Sequence, residues 1–189
     1  MAWIELLKAK DKNNEMFLEM EKDIIRLEII TNRFSKIGSK PSLKNVNVVT
    51  VIQESTNYLS SRFADKIQII TSFQKQNIFA AISEVLLHWV IENLCKNAVD
   101  AMKGSGEISI SLTEEKNHVL INISDTGEGI NKSIIKNMFK PGVTSKKRGW
   151  GLGLSLCKRI VEDYHNGSLF VVSSEKELGT TFTIKLPKT

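Results

Sequence analysis

Two amides and a carboxylate, Asn93, Asn97 and Asp100, follow one another at i, i+4 and i+7, a spacing that puts all three on one side of a helix. Leu87, Ile91, Leu94, Ala98 and Met102 fall on an adjacent face and read as core. His88, Glu92, Lys96 and Lys103 fall on a third and read as solvated. The polar row therefore runs along the border between core and water. A magnesium ion takes oxygen ligands and keeps waters and phosphate oxygens in its octahedron, so one amide oxygen, that of Asn97, is a sufficient protein contact. Taken alone, the row is equally a polar helix edge, with Glu92 paired to Lys96 at i, i+4.

Three further groups follow in order. Asp125-Thr126-Gly127-Glu128-Gly129 closes a strand pattern. A carboxylate there can accept a hydrogen bond from the exocyclic amine of adenine, and the glycines let backbone approach a ring or take positive φ; an Asp-Gly turn is the plainer reading. The basic run Lys146-Lys147-Arg148 offers Lys146 and Arg148 to a terminal phosphate, or is a solvated loop. Gly149-Trp150-Gly151-Leu152-Gly153-Leu154 opens a helix, whose first amides are a ready phosphate site. Leu152 and Leu154 can anchor that helix. The spacing also suits a dinucleotide fingerprint, but the strand that should precede one is missing.

The elements that must position these residues follow from periodicity. Residues 14–36 read as a helix with Met16, Phe17, Met20, Ile24, Leu27, Ile30 and Phe34 on one stripe. Residues 2–9 read as the end of an earlier helix, and the pair as an antiparallel hairpin whose stripe suits a four-helix bundle in a dimer. Gly38, Ser39 and Pro41 mark a linker. Beyond it, strands are expected near 46–48, 67–72, 107–113, 119–124, 167–173 and 180–186. Helices are expected near 49–62, 79–103 and 152–165, with an irregular stretch over 125–151. That order predicts an α+β chain: a two-layer sandwich with a mixed sheet and helices on one face, over residues 41–189, preceded by the hairpin of 1–40.

Composition is that of a globular protein: 189 residues, 41% hydrophobic and 25% charged. The net charge of +5 is scattered, without the basic-aromatic pattern of RNA readout, so nucleic acid is not an expected partner. The two cysteines, Cys95 and Cys157, read as reduced core thiols of a cytoplasmic protein. No apolar run approaches the roughly 20 residues of a membrane span, and no signal peptide is visible.

The four motifs in this order resemble the ATP-binding module of sensor histidine kinases, within the wider ATPase group of gyrase, the large heat-shock chaperone and the MutL mismatch-repair proteins. Glu92-Asn93-Leu94-Cys95-Lys96-Asn97-Ala98-Val99-Asp100-Ala101-Met102 is similar to that family's N box. The resemblance implies magnesium on Asn97, and Asn93, Lys96 and Asp100 beside the nucleotide. It implies adenine on Asp125, with Gly127, Gly129 and Ile130 at the first glycine box. It implies a lid carrying Thr144, Ser145, Lys146 and Arg148 after a phenylalanine box at Phe139 and Pro141. Gly149, Gly151, Leu152, Gly153 and Leu154 would be the second glycine box, and Thr180 would reach adenine from Gly179-Thr180-Thr181-Phe182. Gly142 and Trp150 depart from the pattern, where a second aromatic and a small or hydroxyl residue are usual. Related hydrolases place a glutamate four residues before the magnesium asparagine; Asn93 stands there, and an amide is a poor general base.

The family's phosphoacceptor histidine lies in a context that His88, His118 and His165 lack. His88 and His165 read as surface or edge residues and His118 as a hairpin-turn residue. The expectation is therefore a chain that starts after the acceptor, binds magnesium-ATP, forms a homodimer through its hairpin, does not label itself, and serves a kinase that passes phosphate to a response regulator receiver domain. An anti-sigma-type serine kinase and a degenerate nucleotide-gated interaction module are the alternatives.

Overall fold

The computed structural model describes residues 41–63, 66–144, 146, 150–175 and 178–189. The helical hairpin expected over 1–40 lies outside the described residues. Ser42–Thr189 form one compact unit, in the order β1 (Lys44–Asn47), α1 (Val48–Ser60), β2 (Ile67–Phe73), β3 (Phe79–Ile82), α2 (Glu84–Ala101), β4 (Gly106–Glu114), β5 (His118–Asp125), α3 (Lys132–Ile135), α4 (Gly153–Arg159), a wide helical turn over Ile160–Tyr164, β6 (Ser168–Glu175) and β7 (Gly179–Pro187).

Five strands form a mixed sheet in the order β2-β4-β5-β7-β6. Only β2 and β4 run parallel; the other pairs are antiparallel. The period-2 alternation read from the sequence becomes two faces. Ile108, Ile110 and Leu112 of β4, Val119, Ile121 and Ile123 of β5, and Phe182, Ile184 and Leu186 of β7 are buried. The helices cover that face, through Leu87, Val90, Ile91 and Leu94 of α2, Val48, Val51 and Ile52 of α1, and Leu156 and Cys157 of α4. Each such side chain contributes about 1.5–3 kcal/mol by leaving water. The opposite face is polar in its middle, where Asn122 Nδ2 donates to Ser111 Oγ and Thr183 Oγ1 donates to Asn122 Oδ1. The fold is the expected two-layer α/β sandwich.

Two boundaries differ from expectation. Phe79–Ile82 is a strand rather than the start of the long helix. It pairs antiparallel with β1, Lys44 opposite Ile82 and Asn47 opposite Phe79, and Ala80 and Ile82 are fully buried. Alanine and phenylalanine carry no strong helix start signal, and pairing overrides their propensity. Ser83 is extended and begins α2. The stretch 125–151 also holds one short helical turn, Lys132–Ile135, capped by Asn131, whose Oδ1 accepts from Ser133 N.

His165 is a correction of another kind. Read as a surface or edge residue, it is 1% exposed. Its Nε2 accepts from Ser83 N at 3.0 Å, so the ring proton sits on Nδ1 and is donated to Ile160 O at 2.9 Å. The neutral ring thus joins the end of the wide helical turn to the first residue before α2. Burial holds its pKa below the ordinary 6.5; the Ser83 N–H, which needs an unprotonated Nε2, acts the same way, and the bond to Ile160 O opposes them. A ring that resists protonation binds fewer protons than the unfolded chain near that value. Stability is therefore full above 6.5 and falls as pH drops through it toward the lower folded value. Thermal melts over this window should show a falling Tm in the unmutated chain, and a lower Tm without that pH-dependent part in His165→Gln.

Candidate nucleotide-binding site

The site begins where β5 ends. Asp125 is 8% exposed, and such a carboxylate needs donors. Backbone supplies them. The turn at Gly127 brings its N–H back to Asp125 Oδ1 at 2.8 Å. The N–H of Thr180, directly opposite in β7, donates to the same carboxylate. Burial raises the Asp125 pKa above the ordinary 3.8, and these two hydrogen bonds oppose the rise. Close packing fixes the surroundings. A Cβ on Gly179, at φ +92°, would stand 1.8 Å from Asp125 O, and one on Gly127 would press on Ala101 at the end of α2. Glu128 N also donates to Ala101 O. The glycine turn is thereby tied to the helix that carries the asparagines.

On α2 the expected core face is buried in full: Leu87, Ile91, Leu94, Ala98 and Met102. The polar row behaves unevenly. Asn97 Oδ1 and Asp100 Oδ2 both accept from Lys146 Nζ, at 2.8 and 2.5 Å. Residues 46 and more positions apart thus meet on one ammonium. Asn93 Nδ2 donates back to Trp89 O at 3.2 Å, while its Oδ1 faces Gly153, where a Cβ would approach to 3.2 Å. The Asn helix and the second glycine motif are therefore in contact through Asn93. Lys96 is not part of this group; it pairs outward with Glu92 at 2.6 Å.

The glycine motif before α4 also has a partner that periodicity does not show. Gly151, at φ +64°, would place a Cβ 2.4 Å from the carbonyl carbon of Gly142, and Gly142 N donates to Gly151 O at 3.1 Å. A side chain on Gly151 would obstruct this backbone-to-backbone contact, whereas one on Gly142 would meet open space. Leu152 and Leu154 are half-buried; the buried anchors of this segment are Leu156, Cys157, Ile160 and Val161. Trp150 is exposed. Phe139 meets Phe182 edge-on at 6.5 Å, which seats the segment before the basic run on β7. Thr144 Oγ1 accepts from Lys146 N. Ser145, Arg148 and Gly149 lie outside the described residues.

Two contributors carry no sequence signal. Thr126 Oγ1 accepts from Glu107 N at 3.1 Å and so locks the glycine turn to β4. Ser174 Oγ accepts from Ile130 N at 2.6 Å and lies 2.9 Å from Thr180 Oγ1. Gly129, at φ +72°, lets the chain turn into Ile130.

A helix-covered mixed sheet carries a buried acid at a strand end beside a helix whose amide and carboxylate oxygens share one cation. The chain belongs to the family described as histidine kinase-, DNA gyrase B-, and HSP90-like ATPases, whose profile matches residues 82–189. Among curated relatives, Sporulation kinase A of Bacillus subtilis is 31% identical over 193 residues, covering 99% of this chain and 31% of that protein. The chain thus spans about a third of the length of that relative. Among solved structures, the nucleotide-free catalytic domain of histidine kinase ThkA aligns with a TM-score of 0.72 at 25% identity, covering 79% of this chain and 97% of that one. ThkA in complex with the response regulator TrrA shares the fold, with a TM-score of 0.75 at 21% identity over 98% of this chain and 57% of that one.

The ionised form of Asp125 is the stronger acceptor for an amine donor. Adenine-nucleotide affinity should therefore be full above the raised pKa of Asp125 and fall as pH drops through it. Calorimetric titrations with ADP at stepped acid pH should show this fall, and Asp125→Asn should bind more weakly with a flat profile over the same range.

Proposed function

We propose that the chain binds magnesium-ATP and passes its γ-phosphoryl group to a ring nitrogen of a histidine on a dimerisation helix, leaving ADP, and that the group then moves to an aspartate on a response regulator receiver domain. The observation that carries transfer over hydrolysis is the state of Asn93. Its amide donates to Trp89 O, its oxygen faces Gly153, and the neighbouring Glu92 is drawn outward by Lys96. Among the described residues no carboxylate stands at the position of Asn93, and an amide does not take a proton at neutral pH. The names of the relatives support a kinase, and the ThkA–TrrA complex supports a regulator as the next acceptor.

The donor set fits a magnesium ion. Asn97 Oδ1 and Asp100 Oδ2 converge on one cation, here the Lys146 ammonium, and both are oxygen donors of the kind magnesium takes. Asn97 and Asp100 would hold the ion, which when bound neutralises phosphate charge. The chain's own residues do the rest. Asp125 would accept from the adenine amine, Thr180 stands beside it, Gly151 and Gly153 keep backbone open near the phosphates, and Lys146 would face the terminal phosphate. This is catalysis by positioning and charge neutralisation.

The proposed homodimer rests on the apolar stripe of residues 14–36. A cytoplasmic setting is supported by Cys95 and Cys157, both buried and unpaired in disulfides, with burial pushing the Cys95 thiol up to about 12. Among the described residues no helix is long and apolar enough to cross a membrane.

Calorimetry with ADP and ATP, with and without magnesium, tests the reading. Asp125→Ala removes a hydrogen bond to a charged group, worth about 1.5–3 kcal/mol, and should weaken binding about 10- to 100-fold. Asn97→Ala should retain weak binding and lose its magnesium dependence. Absence of binding by the unmutated chain would overturn the proposal. Incubation with labelled ATP should leave His88, His118 and His165 unlabelled. His165 is buried with both ring nitrogens engaged, and His88 is held between Ser55 Oγ at 2.7 Å and Glu54.

A further inference from the structure

Asp125, Thr180 and Ser174 form a row across three strands. Asp125 of β5 is directly opposite Thr180 of β7, and Thr180 is directly opposite Ser174 of β6. Directly opposed residues share a face of a sheet, and this is the face the helices cover. Ser174 reaches it through an irregularity. Between Leu169 and Val171 the odd positions of β6 face the core side, opposite Ile184 and Phe182. A regular strand would carry that parity on and turn Ser174 to the open face. The register shifts between Val171 and Ser173 instead, leaving Val172 62% exposed and placing Ser174 opposite Thr180. Bulges of this kind re-aim a side chain and recur beside functional sites.

The hydrogen-bond directions give the row its chemistry. Ser174 Oγ accepts the Ile130 N–H at 2.6 Å. Its own proton has one acceptor among the described residues, Thr180 Oγ1 at 2.9 Å. With Ser174 donating, the Thr180 hydroxyl keeps its proton for a ligand. The strand end then presents an acceptor, the Asp125 carboxylate, beside a donor, the Thr180 hydroxyl. Adenine offers the complement on its Watson–Crick edge, an N6 amine that donates and an N1 that accepts. Guanine offers the opposite, an O6 that accepts and an N1–H that donates.

We propose that Ser174 is a positioning residue for purine recognition: seated by the β6 bulge and held by the Ile130 amide, it orients the Thr180 hydroxyl as a donor toward adenine N1, directly or through one water, and so sets the choice of adenine over guanine. The proposal rests on the nucleotide reading above and names what enforces its base specificity. Ser174 does not touch the base; it acts through Thr180.

The test is calorimetric binding of ADP, GDP and 1-deaza-ADP, in which a C–H replaces N1, to the unmutated chain, Ser174→Ala and Ser174→Thr, with thermal melts of each. One neutral hydrogen bond corresponds to a loss of about 5- to 10-fold. Ser174→Ala is expected to weaken ADP by that factor, narrow the ratio of ADP to GDP affinity, and leave 1-deaza-ADP within about 2-fold of the unmutated chain, since that ligand has no acceptor to lose. Ser174→Thr keeps the hydroxyl and is expected to recover ADP binding. Equal losses on ADP and 1-deaza-ADP, or no loss on ADP in a folded Ser174→Ala, would overturn the role of Ser174 while leaving the nucleotide site intact. Failure of the unmutated chain to bind ADP would instead overturn the nucleotide reading itself.

Discussion

A carboxylate taken out of water at the end of β5 is the constraint around which this sandwich is arranged. Burial of Asp125 favours its neutral form, and only donors aimed at it can hold the charge there. Both donors described are backbone amides, and each demands a particular local chain path. Gly127 must fold back within two residues. Thr180 must sit in register opposite Asp125, which requires β7 to begin with a residue whose side chain is absent, because Gly179 lies against Asp125 O. The same turn must reach the C-terminal end of α2, where Glu128 N donates to Ala101 O. One buried charge thus fixes sheet register, turn shape and helix placement together.

The other end of the site follows a different rule. Asp100 and Lys146 are exposed and Asn97 is half-buried, and their interaction is of the screened surface kind. Its value lies in geometry rather than stability. An ammonium resting on two oxygens shows that they can share one cation, and it keeps them from repelling or wandering. A divalent ion competes for the same oxygens, and two cations cannot occupy them at once. A magnesium ion held by Asn97 and Asp100 would leave the Lys146 ammonium without these two partners. The base end is built from buried, directional and fixed contacts, the phosphate end from exchangeable ones.

Much of this was legible in sequence because it is periodic or glycine-marked. The buried face of α2 follows from spacing alone, the β4–β5 hairpin from alternation, and Asp125 with its glycines from their adjacency at a strand end. What sequence did not show is set by pairing between distant segments. Phe79–Ile82 continues the apolar run of α2 and becomes a strand only because β1 is there to pair with it. Gly142 looks like a defect until its φ of +83° is seen, in a turn whose backbone lies against Gly151. His165 has the polarity of a surface residue, and only the Ser83 amide, 82 positions away, explains its burial. Ser174 is one of two adjacent serines in an ordinary strand, and the bulge that distinguishes it from Ser173 is a property of the β6–β7 register.

The bulge also shows why specificity and family likeness are separable. The motifs that resemble the family's supply a carboxylate, glycines and a threonine. A threonine hydroxyl, however, donates or accepts according to its neighbours, and a hydroxyl free to do either would discriminate poorly between a ring nitrogen that accepts and one that donates. Direction has to be imposed from a group with a fixed role. A backbone N–H is such a group, because it can only donate. The Ile130 amide occupies one lone pair of Ser174, and in the proposed arrangement Ser174 gives its proton to Thr180. On that proposal, base selection is a consequence of backbone geometry carried outward through two hydroxyls.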